Sequence, residues 1–262
     1  MVTEARALAT VHALHQAGQS LSVAPPGPLL AVHLVLVPLS WWRPRAAMAV
    51  VALLGLVQCG LAFPRTGNHL VLGVVVSLVL ALLDERDPED TALRRPSFLA
   101  LVLIAFVWSG VHKVWHGLWF RGETLAWLSV SRGDVGAVLR PFFSETLAQR
   151  LASLSRTDEG SGPFRLEGAW LLVSNAVWLG ELGAAAFWHR RLRPLAAPVL
   201  LVMVWLVQFV AHEWEFALLL TNLLVPGARL RWLVAAGVVG VMAVRLGWVV
   251  APFWAWHAPE PT

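Results

Sequence analysis

The sequence predicts an all-α protein, a polytopic bundle of transmembrane helices with about seven membrane segments. Hydrophobic residues make up 58% of the 262 residues and charged residues only 14%, and the mean hydropathy of +0.66 is too high for an ordinary soluble domain. Apolar runs close to the roughly 20 residues that cross a bilayer as a helix recur along the chain, without the alternation typical of strands. We therefore predict one integral membrane domain over residues 1–262.

The predicted segments follow the apolar runs in order: 28–42, 46–63, 69–83, 98–120, 169–188, 195–225 and 232–254. A continuous helix over 195–225 would be about 45 Å long at about 1.5 Å per residue, so this segment is expected to bend, break or re-enter. Residues 121–168 form a long interfacial loop between the fourth and fifth segments. Its apolar patch PFFSETLAQRLASL is expected to lie along the surface and could act as a lid.

The amino-terminal residues 1–24 lack the apolar core of a secretory signal. Glu4, Arg6, His12 and His15 are spaced among small apolar residues, and two prolines follow. This pattern predicts an interfacial amphipathic helix.

Arginines in short connections set the predicted orientation, because cytoplasmic loops carry an excess of basic residues. The larger group is expected on the cytoplasmic side: Arg43, Arg45, Arg86, Arg94, Arg95, Arg190, Arg191 and Arg193. Arg65, Arg229 and Arg231 are expected on the opposite side, with the amino terminus and the 121–168 loop. The arginine-heavy, tryptophan-rich composition favours a prokaryotic inner (cytoplasmic) membrane.

Several function classes lack support in the sequence. Cys59 is the only cysteine, which excludes disulfides and cysteine-based metal clusters within the chain. No basic cluster with exposed aromatic residues indicates nucleic-acid binding, and no Walker motif or Ser-His-Asp order is present. The expected partners are the lipid bilayer and lipophilic molecules.

Lys113 is the single lysine, and the other 19 basic residues are arginines. It lies in the apolar stretch FLALVLIAFVWSGVHKVWHGLWF, where Gly110 and Gly117 leave space beside it and Ser109 shares its face. Burial favours a neutral amine, which can act as a base, whereas a nearby carboxylate favours the ammonium form. The alternative is that the side chain snorkels to the interface.

Other polar residues interrupt the apolar segments: His69, His112, His116, Glu181, His212 and Glu215. Such groups are expensive in lipid and point to a shared polar cavity. For each histidine, a structural hydrogen bond to a neighbouring helix is an equally good interpretation. His112 and His116 have the i, i+4 spacing of a metal-ligand pair, but the ligand set is too weak for us to predict a metal.

Four stretches carry a resemblance to a known family, and they occur in the order GNHLVLG, FVWSGVHKVWHGLWFRGETLAWLS, WLGELGAAAF and FVAHEWEFALLL over about residues 64–226. They resemble the HTTM membrane-domain family, which includes the vitamin K-dependent gamma-carboxylases, with an HTTM-like core over about 28–256. The carboxylases carry a large soluble domain after the membrane region, whereas this sequence ends at Thr262.

The resemblance implies a quinol-using, carboxylase-like enzyme in which Lys113 deprotonates a hydroquinone that oxygen converts to an epoxide. Reduced vitamin K or menaquinol, O2 and, for carboxylation, CO2 are the implied reactants, and a small peptide or protein is a candidate substrate. The expected catalytic residues are Lys113, His69, His212 and Glu181. The expected quinone-binding residues are Asn68, His116, Trp108 and Glu215.

Two other function classes remain open at the level of sequence. A proton-coupled transporter or non-catalytic quinone-binding protein would use the same buried acid, lysine and histidines as a relay. A peptide-maturation or immunity partner would bind a protein without any quinone chemistry.

Overall fold

The computed structural model describes residues 2–23, 27–63, 68–153, 164–211 and 214–248, and over these residues the chain is helical without β-strands. The α-helices are α1 (Val2–Val23), α2 (Pro28–Trp42), α3 (Pro44–Ala62), α4 (Asn68–Leu82), α5 (Pro88–His116), α6 (Glu123–Ser131), α7 (Gly133–Leu139), α8 (Glu145–Ala152), α9 (Ala169–Gly183), α10 (Arg193–Ala211), α11 (Trp214–Leu224) and α12 (Ala228–Arg245). Short 3₁₀ helices follow α7 (Arg140–Phe142) and α9 (Ala184–Trp188). The all-α prediction is confirmed.

Three helical stretches in the described chain are long and apolar enough to cross a membrane: Pro44–Ala62, Pro88–His116 and Ala169–Trp188. The sequence predicted about seven. The other apolar helices, α2, α4, α10 and α11, have apolar portions of 10–17 residues. A 15-residue helix is only about 22 Å long, less than the roughly 30 Å hydrocarbon core, so length alone does not identify these helices as spans.

The chain divides into two compact units. Among the described residues, unit 1 contains those within 2–102 and 214–248, and unit 2 contains those within 103–211. The first boundary falls inside helix α5, where the sequence has no polar linker, so composition does not mark it.

Helix α1 is buried inside unit 1, where it packs against α2, α3, α11 and α12. Ala7, Val11 and Ala17 are fully buried, and so are the polar side chains of His12 and Gln19. This differs from the surface position expected of an interfacial helix. The small residues of α1 allow neighbouring helices to approach it closely, and its polar residues find partners inside the unit.

One end of unit 1 collects arginine-bearing turns from distant parts of the sequence. Arg6 in the first turns of α1 pairs with Glu85 at 3.0 Å, and Arg231 at the start of α12 lies 3.6 Å from Glu4. Arg45 pairs with Asp84 at 3.1 Å. We call this the arginine-rich end of unit 1; it includes the start of α1 and the α2–α3, α4–α5 and α11–α12 turns.

The arginine-rich end corrects the predicted orientation. Arg231 and the amino-terminal end of α1 share a side with Arg94 and Arg95, rather than facing them across the membrane. The predicted separation of Arg231 and the amino-terminal residues from Arg94 and Arg95 is therefore wrong, because the start of α1 and the α11–α12 turn line one cavity with the first half of α5.

The predicted 121–168 loop contains three helices, α6, α7 and α8, with a hydrophobic core of their own in unit 2. Its members are buried: Leu125, Ala126, Val135, Leu139, Phe143, Leu147, Leu151, Phe164 and Leu166. The patch that was expected on the surface contributes Phe143, Leu147 and Leu151 to this core. Phe143, Leu147 and Leu151 are four residues apart, which is the spacing of one face of a helix. The prediction of a loop did not take this spacing into account.

The expectation that residues 195–225 bend, break or re-enter stays a prediction, because residues 212 and 213 lie outside the described residues. Helix α10 ends at Ala211 and α11 begins at Trp214.

Candidate functional site

The candidate site in unit 2 is built where helices α5 and α9 approach each other closely. A Cβ atom added at Gly110 would lie 2.9 Å from the side chain of Leu182 and 3.0 Å from its backbone nitrogen. Only a residue without a side chain fits this contact without displacing α9. The space that the sequence suggested for a partner beside Gly110 is therefore filled by α9 itself.

Lys113, one turn after Gly110, makes an ion pair with Glu181, the residue before Leu182. The Lys113 Nζ atom lies 2.8 Å from Glu181 Oε1 and 2.6 Å from Ser109 Oγ. The side chains are 16% and 9% exposed, so the pair is largely removed from water. The nitrogen also lies 5.1 Å from the centre of the Trp119 ring, within the range of a cation–π interaction.

The direction of the Lys113 side chain differs from that of a snorkelling lysine. Lys113 lies in the last turn of α5, which ends at His116, yet its amine bonds to Ser109 one helical turn back toward the amino terminus. A snorkelling side chain would extend past the helix end instead. The described contacts hold the amine beside a carboxylate, a hydroxyl and an aromatic ring.

Hydrogen bonds fix the segment after α5 against α9. Gly117 ends α5 with a φ of 70°, a left-handed conformation that favours glycine. Ser174 Oγ then donates to the Trp119 carbonyl oxygen at 2.9 Å, and Asn175 Nδ2 donates to that of Phe120 at 3.2 Å. These contacts place Trp119 beside the ion pair.

An apolar cavity of about 380 Å³ lies next to the Lys113–Glu181 pair, with Glu181 and Trp119 in its wall. The rest of the wall comes from α6, α7, α9 and α10: Leu125, Leu128, Val135, Leu139, Trp170, Val173, Ala176, Val177, Met203, Leu206 and Val207. Its volume falls in the range of small-molecule sites, which are mostly apolar with few polar groups. Among the described residues, Glu181 is the single charged one in this wall.

The other predicted residues of helix α5 lie away from this cavity. Trp108 is 63% exposed, and His116 is exposed with its Nε2 atom 3.0 Å from that of His112. Neither Trp108 nor His116 is part of the cavity wall. The two histidines have the spacing of metal ligands, but the described residues contain no cluster of three or more His, Cys, Asp or Glu side chains for a metal.

The structure places two predicted site residues, His69 and Glu215, in unit 1 rather than with Lys113. Glu215 pairs with Arg245 at 3.0 Å. His69 is half-buried near the start of α4 and close enough to His15 to interact electrostatically. Asn68 begins α4, and its side chain, like His212, lies outside the described residues.

Helix α1 carries a row of buried polar side chains, His12, His15, Gln16 and Gln19. The two histidines were expected on a surface helix, and the two glutamines were not singled out from the sequence. His12 Nε2 lies 2.8 Å from Ser77 Oγ, His15 Nε2 lies 2.7 Å from the Glu215 carbonyl oxygen, and Gln16 donates to Gln19 at 2.9 Å. We call this row the polar seam of unit 1. Successive members of this row are three, one and three positions apart in the sequence, which places all four on one face of a helix.

Comparisons with protein-family models, curated proteins and solved structures find no match for this chain.

Proposed function

We propose that this protein is a membrane-embedded enzyme that binds a lipophilic hydroquinone in the apolar cavity of unit 2 and uses the Lys113–Glu181 pair to accept its hydroxyl proton. The observation that carries the proposal is the pairing of the single lysine with a buried carboxylate in the wall of that cavity. A resemblance to vitamin K-dependent carboxylases supports the same assignment.

The wall of the cavity fits such a ligand. Its apolar side chains suit a fused ring and an isoprenoid tail, Trp119 offers a face for stacking, and Glu181 offers a hydrogen-bond acceptor for a ring hydroxyl. When bound, the hydroquinone would supply the reducing equivalents and the ring that oxygen converts to an epoxide. Reduced menaquinone and reduced vitamin K share this chemistry, and carboxylation with CO2 of a peptide or small substrate is the proposed coupled step.

Proton transfer within the pair explains how Lys113 can act as a base. A lysine in an ion pair is the ammonium form, which cannot accept another proton. Moving one proton from Lys113 Nζ to Glu181 across the 2.8 Å contact gives a neutral amine and a neutral acid without changing the total charge. An apolar surrounding favours this neutral pair over two ions, and arriving apolar ligand atoms exclude water further.

The histidines have proposed secondary roles. We propose that His212 orients the substrate or relays a proton, as the resemblance implies, and that Trp108 and His116 contribute to quinone binding. Asn68, His69 and Glu215 belong to unit 1 and are not assigned to this site. The exposure of Trp108 and His116 is compatible only with contacts to the tail of a ligand or to lipid.

We also propose that the shorter apolar helices complete an arrangement of about seven spans in a prokaryotic inner membrane. The arginine-rich end of unit 1 would face the cytoplasm, because basic residues accumulate there. Two variants in a Cys59→Ala background test this orientation, one with a cysteine at Arg86 and one with a cysteine at Trp248. A membrane-impermeant thiol reagent added to intact cells should leave the cysteine at position 86 unlabelled. Labelling of residue 86 from outside would contradict the orientation.

The enzymatic proposal is tested by product analysis. Purified protein in lipid nanodiscs is supplied with reduced menaquinone or reduced vitamin K and O2, and the epoxide is measured by mass spectrometry. Lys113→Met should reduce epoxide formation by at least about 100-fold, the usual contribution of a positioned base. Trp115→Phe, an exposed position in the same turn of α5, is the matched control and should retain activity.

Equal turnover by Lys113→Met and the parent protein, at equal melting temperatures, would refute the role of Lys113. No epoxide from either quinol would refute the reaction.

The polar seam of unit 1 favours a second candidate, a proton-coupled transporter or quinone-binding protein without chemistry. His12, His15 and the Glu215–Arg245 pair bring several protonatable and hydrogen-bonding groups together inside the unit. This candidate predicts proton movement in proteoliposomes without a chemical product, reduced by His15→Phe. Epoxide formation that persists in His15→Phe would favour the enzyme.

A further inference from the structure

A second cavity, of about 270 Å³, lies at the arginine-rich end of unit 1, apart from the proposed hydroquinone site of unit 2. Its wall includes Glu4 in the first turn of α1, Arg94 and Arg95 in the first half of α5, and Gly227 and Arg231 at the α11–α12 turn. Residues nearly 230 positions apart in sequence therefore converge on one small space.

The wall has more positive than negative charge. Three guanidinium groups, those of Arg94, Arg95 and Arg231, face one carboxylate, that of Glu4, which leaves a surplus of two positive charges. Glu4 already accepts a hydrogen bond from the Gly227 amide at 3.0 Å and lies 3.6 Å from Arg231. The backbone hydrogen bond lowers the pKa of this carboxyl, so Glu4 stays ionised and directed at the turn.

Arg94 and Arg95 make no hydrogen bond or ion pair to a side chain in the described part of the chain. Glu85, Glu4 and Asp90 attract Arg94 electrostatically, but each also has another partner: Glu85 pairs with Arg6 at 3.0 Å, Glu4 accepts from the Gly227 amide, and Asp90 accepts from the backbone amide of Asp84 at 2.7 Å. Guanidinium groups in a cavity wall without such partners are ready to bind an anion.

Arg231 forms a rigid side of the cavity. It is only 5% exposed and donates to the carbonyl oxygens of Asn222 and Val225, the latter at 2.9 Å. Its buried Nε atom has no hydrogen-bond acceptor among the described residues. The arginine is therefore held in place before any ligand arrives, with donor capacity to spare.

We propose that this cavity binds a phosphate group, as the headgroup of an anionic phospholipid or as free phosphate. Arginine matches phosphate through paired N–H donors, and basic pockets between membrane helices suit anionic headgroups. The exposed Pro226 in the same wall offers apolar contact to the glycerol and upper acyl region of a lipid. The site is independent of the proposed enzymatic reaction and survives if that reaction is absent.

The test measures phosphate binding to the full chain from both sources. Delipidated protein is titrated with phosphatidylglycerol in phosphatidylcholine nanodiscs and followed by native mass spectrometry. Separately, its melting temperature is measured in sodium phosphate and in sodium chloride at matched ionic strength. Arg94→Gln/Arg95→Gln should weaken binding about 25-fold, because each arginine near a membrane surface contributes about fivefold.

The matched control is Arg190→Gln/Arg191→Gln, which removes two adjacent exposed arginines from unit 2. It should bind as the parent does. Arg94→Lys/Arg95→Lys keeps the charge and loses the paired donors, so it should bind with intermediate affinity. This variant also covers the case in which the glutamine pair fails to fold.

Binding of phosphatidylglycerol alone would identify a lipid headgroup site, and stabilisation by inorganic phosphate alone would identify a soluble anion site; both support the proposal. Binding in neither arm would overturn it. An equal loss in the Arg190→Gln/Arg191→Gln control would also overturn it, since it would reflect general attraction to a charged surface.

Discussion

Removing either partner of the Lys113–Glu181 pair should destabilise unit 2 by several kcal/mol, and removing both should restore part of the loss. The perturbations are Lys113→Met, Glu181→Gln and the double variant. Each single change leaves one charge enclosed by its neighbours, because the two side chains are only 16% and 9% exposed. The double change leaves two uncharged groups of similar size.

The distance between the charges sets the scale. At 2.8 Å the Coulomb attraction is about 6 kcal/mol for an effective dielectric constant of about 20. Desolvation of both ions offsets much of this, so the pair itself contributes little net stability. Breaking it by removing one partner leaves the desolvation uncompensated, which costs about 3–5 kcal/mol. Lys113 keeps Ser109 and Trp119 as partners, which places Glu181→Gln at the lower end of that range.

The assay is a double-mutant cycle on equilibrium unfolding in bicelles with a graded denaturing detergent, monitored by tryptophan fluorescence. Each single variant should lose about 3 kcal/mol or more, and the double variant should lose clearly less than their sum. The coupling free energy between the two positions is expected to be at least about 2 kcal/mol.

Strict additivity would refute the reasoning. If both single variants cost less than about 0.5 kcal/mol and their effects add, the ammonium and carboxylate are solvated separately and no enclosed pair exists. The neutral-pair mechanism for Lys113 would then lose its structural basis.

Three further perturbations test other parts of the structure. Gly110→Ala should destabilise unit 2 by about 1–3 kcal/mol in the same unfolding assay, because its Cβ would lie 3.0 Å from a backbone nitrogen of α9. The control Gly183→Ala should have little effect, because its Cβ would have no atom within 4 Å. Ser77→Ala should lower the free energy of unfolding by about 1–2 kcal/mol, because it removes the 2.8 Å contact to buried His12. An unchanged unfolding midpoint would contradict a stabilising role for this contact of the polar seam. Glu4→Gln should flatten the pH dependence of stability below about pH 4.5. The hydrogen bond from the Gly227 amide lowers the pKa of Glu4 in the folded protein from 4.5. The stability that ionised Glu4 contributes is therefore present above pH 4.5 and is lost as the pH falls through the folded pKa.

The sequence predicts the helical class correctly because apolar composition and the lack of alternation determine it. The position of α1 could not be predicted by the same means. His12, His15, Gln16 and Gln19 make α1 look amphipathic, and hydropathy does not distinguish a polar face turned to water from one turned to other helices. The small residues around them, such as Ala7 and Ala13, were the available signal, since they permit close helix packing.

The candidate site was predictable in part. An isolated lysine in an apolar helix and a glutamate in a later apolar helix each stand out in the sequence, and the structure joins them at 2.8 Å. The cavity wall did not stand out, because Leu125, Val135 and Leu139 come from the stretch that was predicted to be a loop. A core formed by short helices depends on contacts between distant residues, which hydropathy averaged over a long window does not show.

The two buried ion pairs differ in the chemistry that they can perform. Arg245, the partner of Glu215 in unit 1, keeps its proton under all physiological conditions, so the Glu215–Arg245 pair stabilises a charge arrangement without changing it. Lys113 can give up its proton, so the pair with Glu181 can exist as two ions or as two neutral groups. An apolar molecule entering the adjoining cavity shifts that balance toward the neutral groups, because it displaces water from the ions. Proton transfer coupled to ligand arrival is therefore expected in the Lys113–Glu181 pair rather than in the Glu215–Arg245 pair.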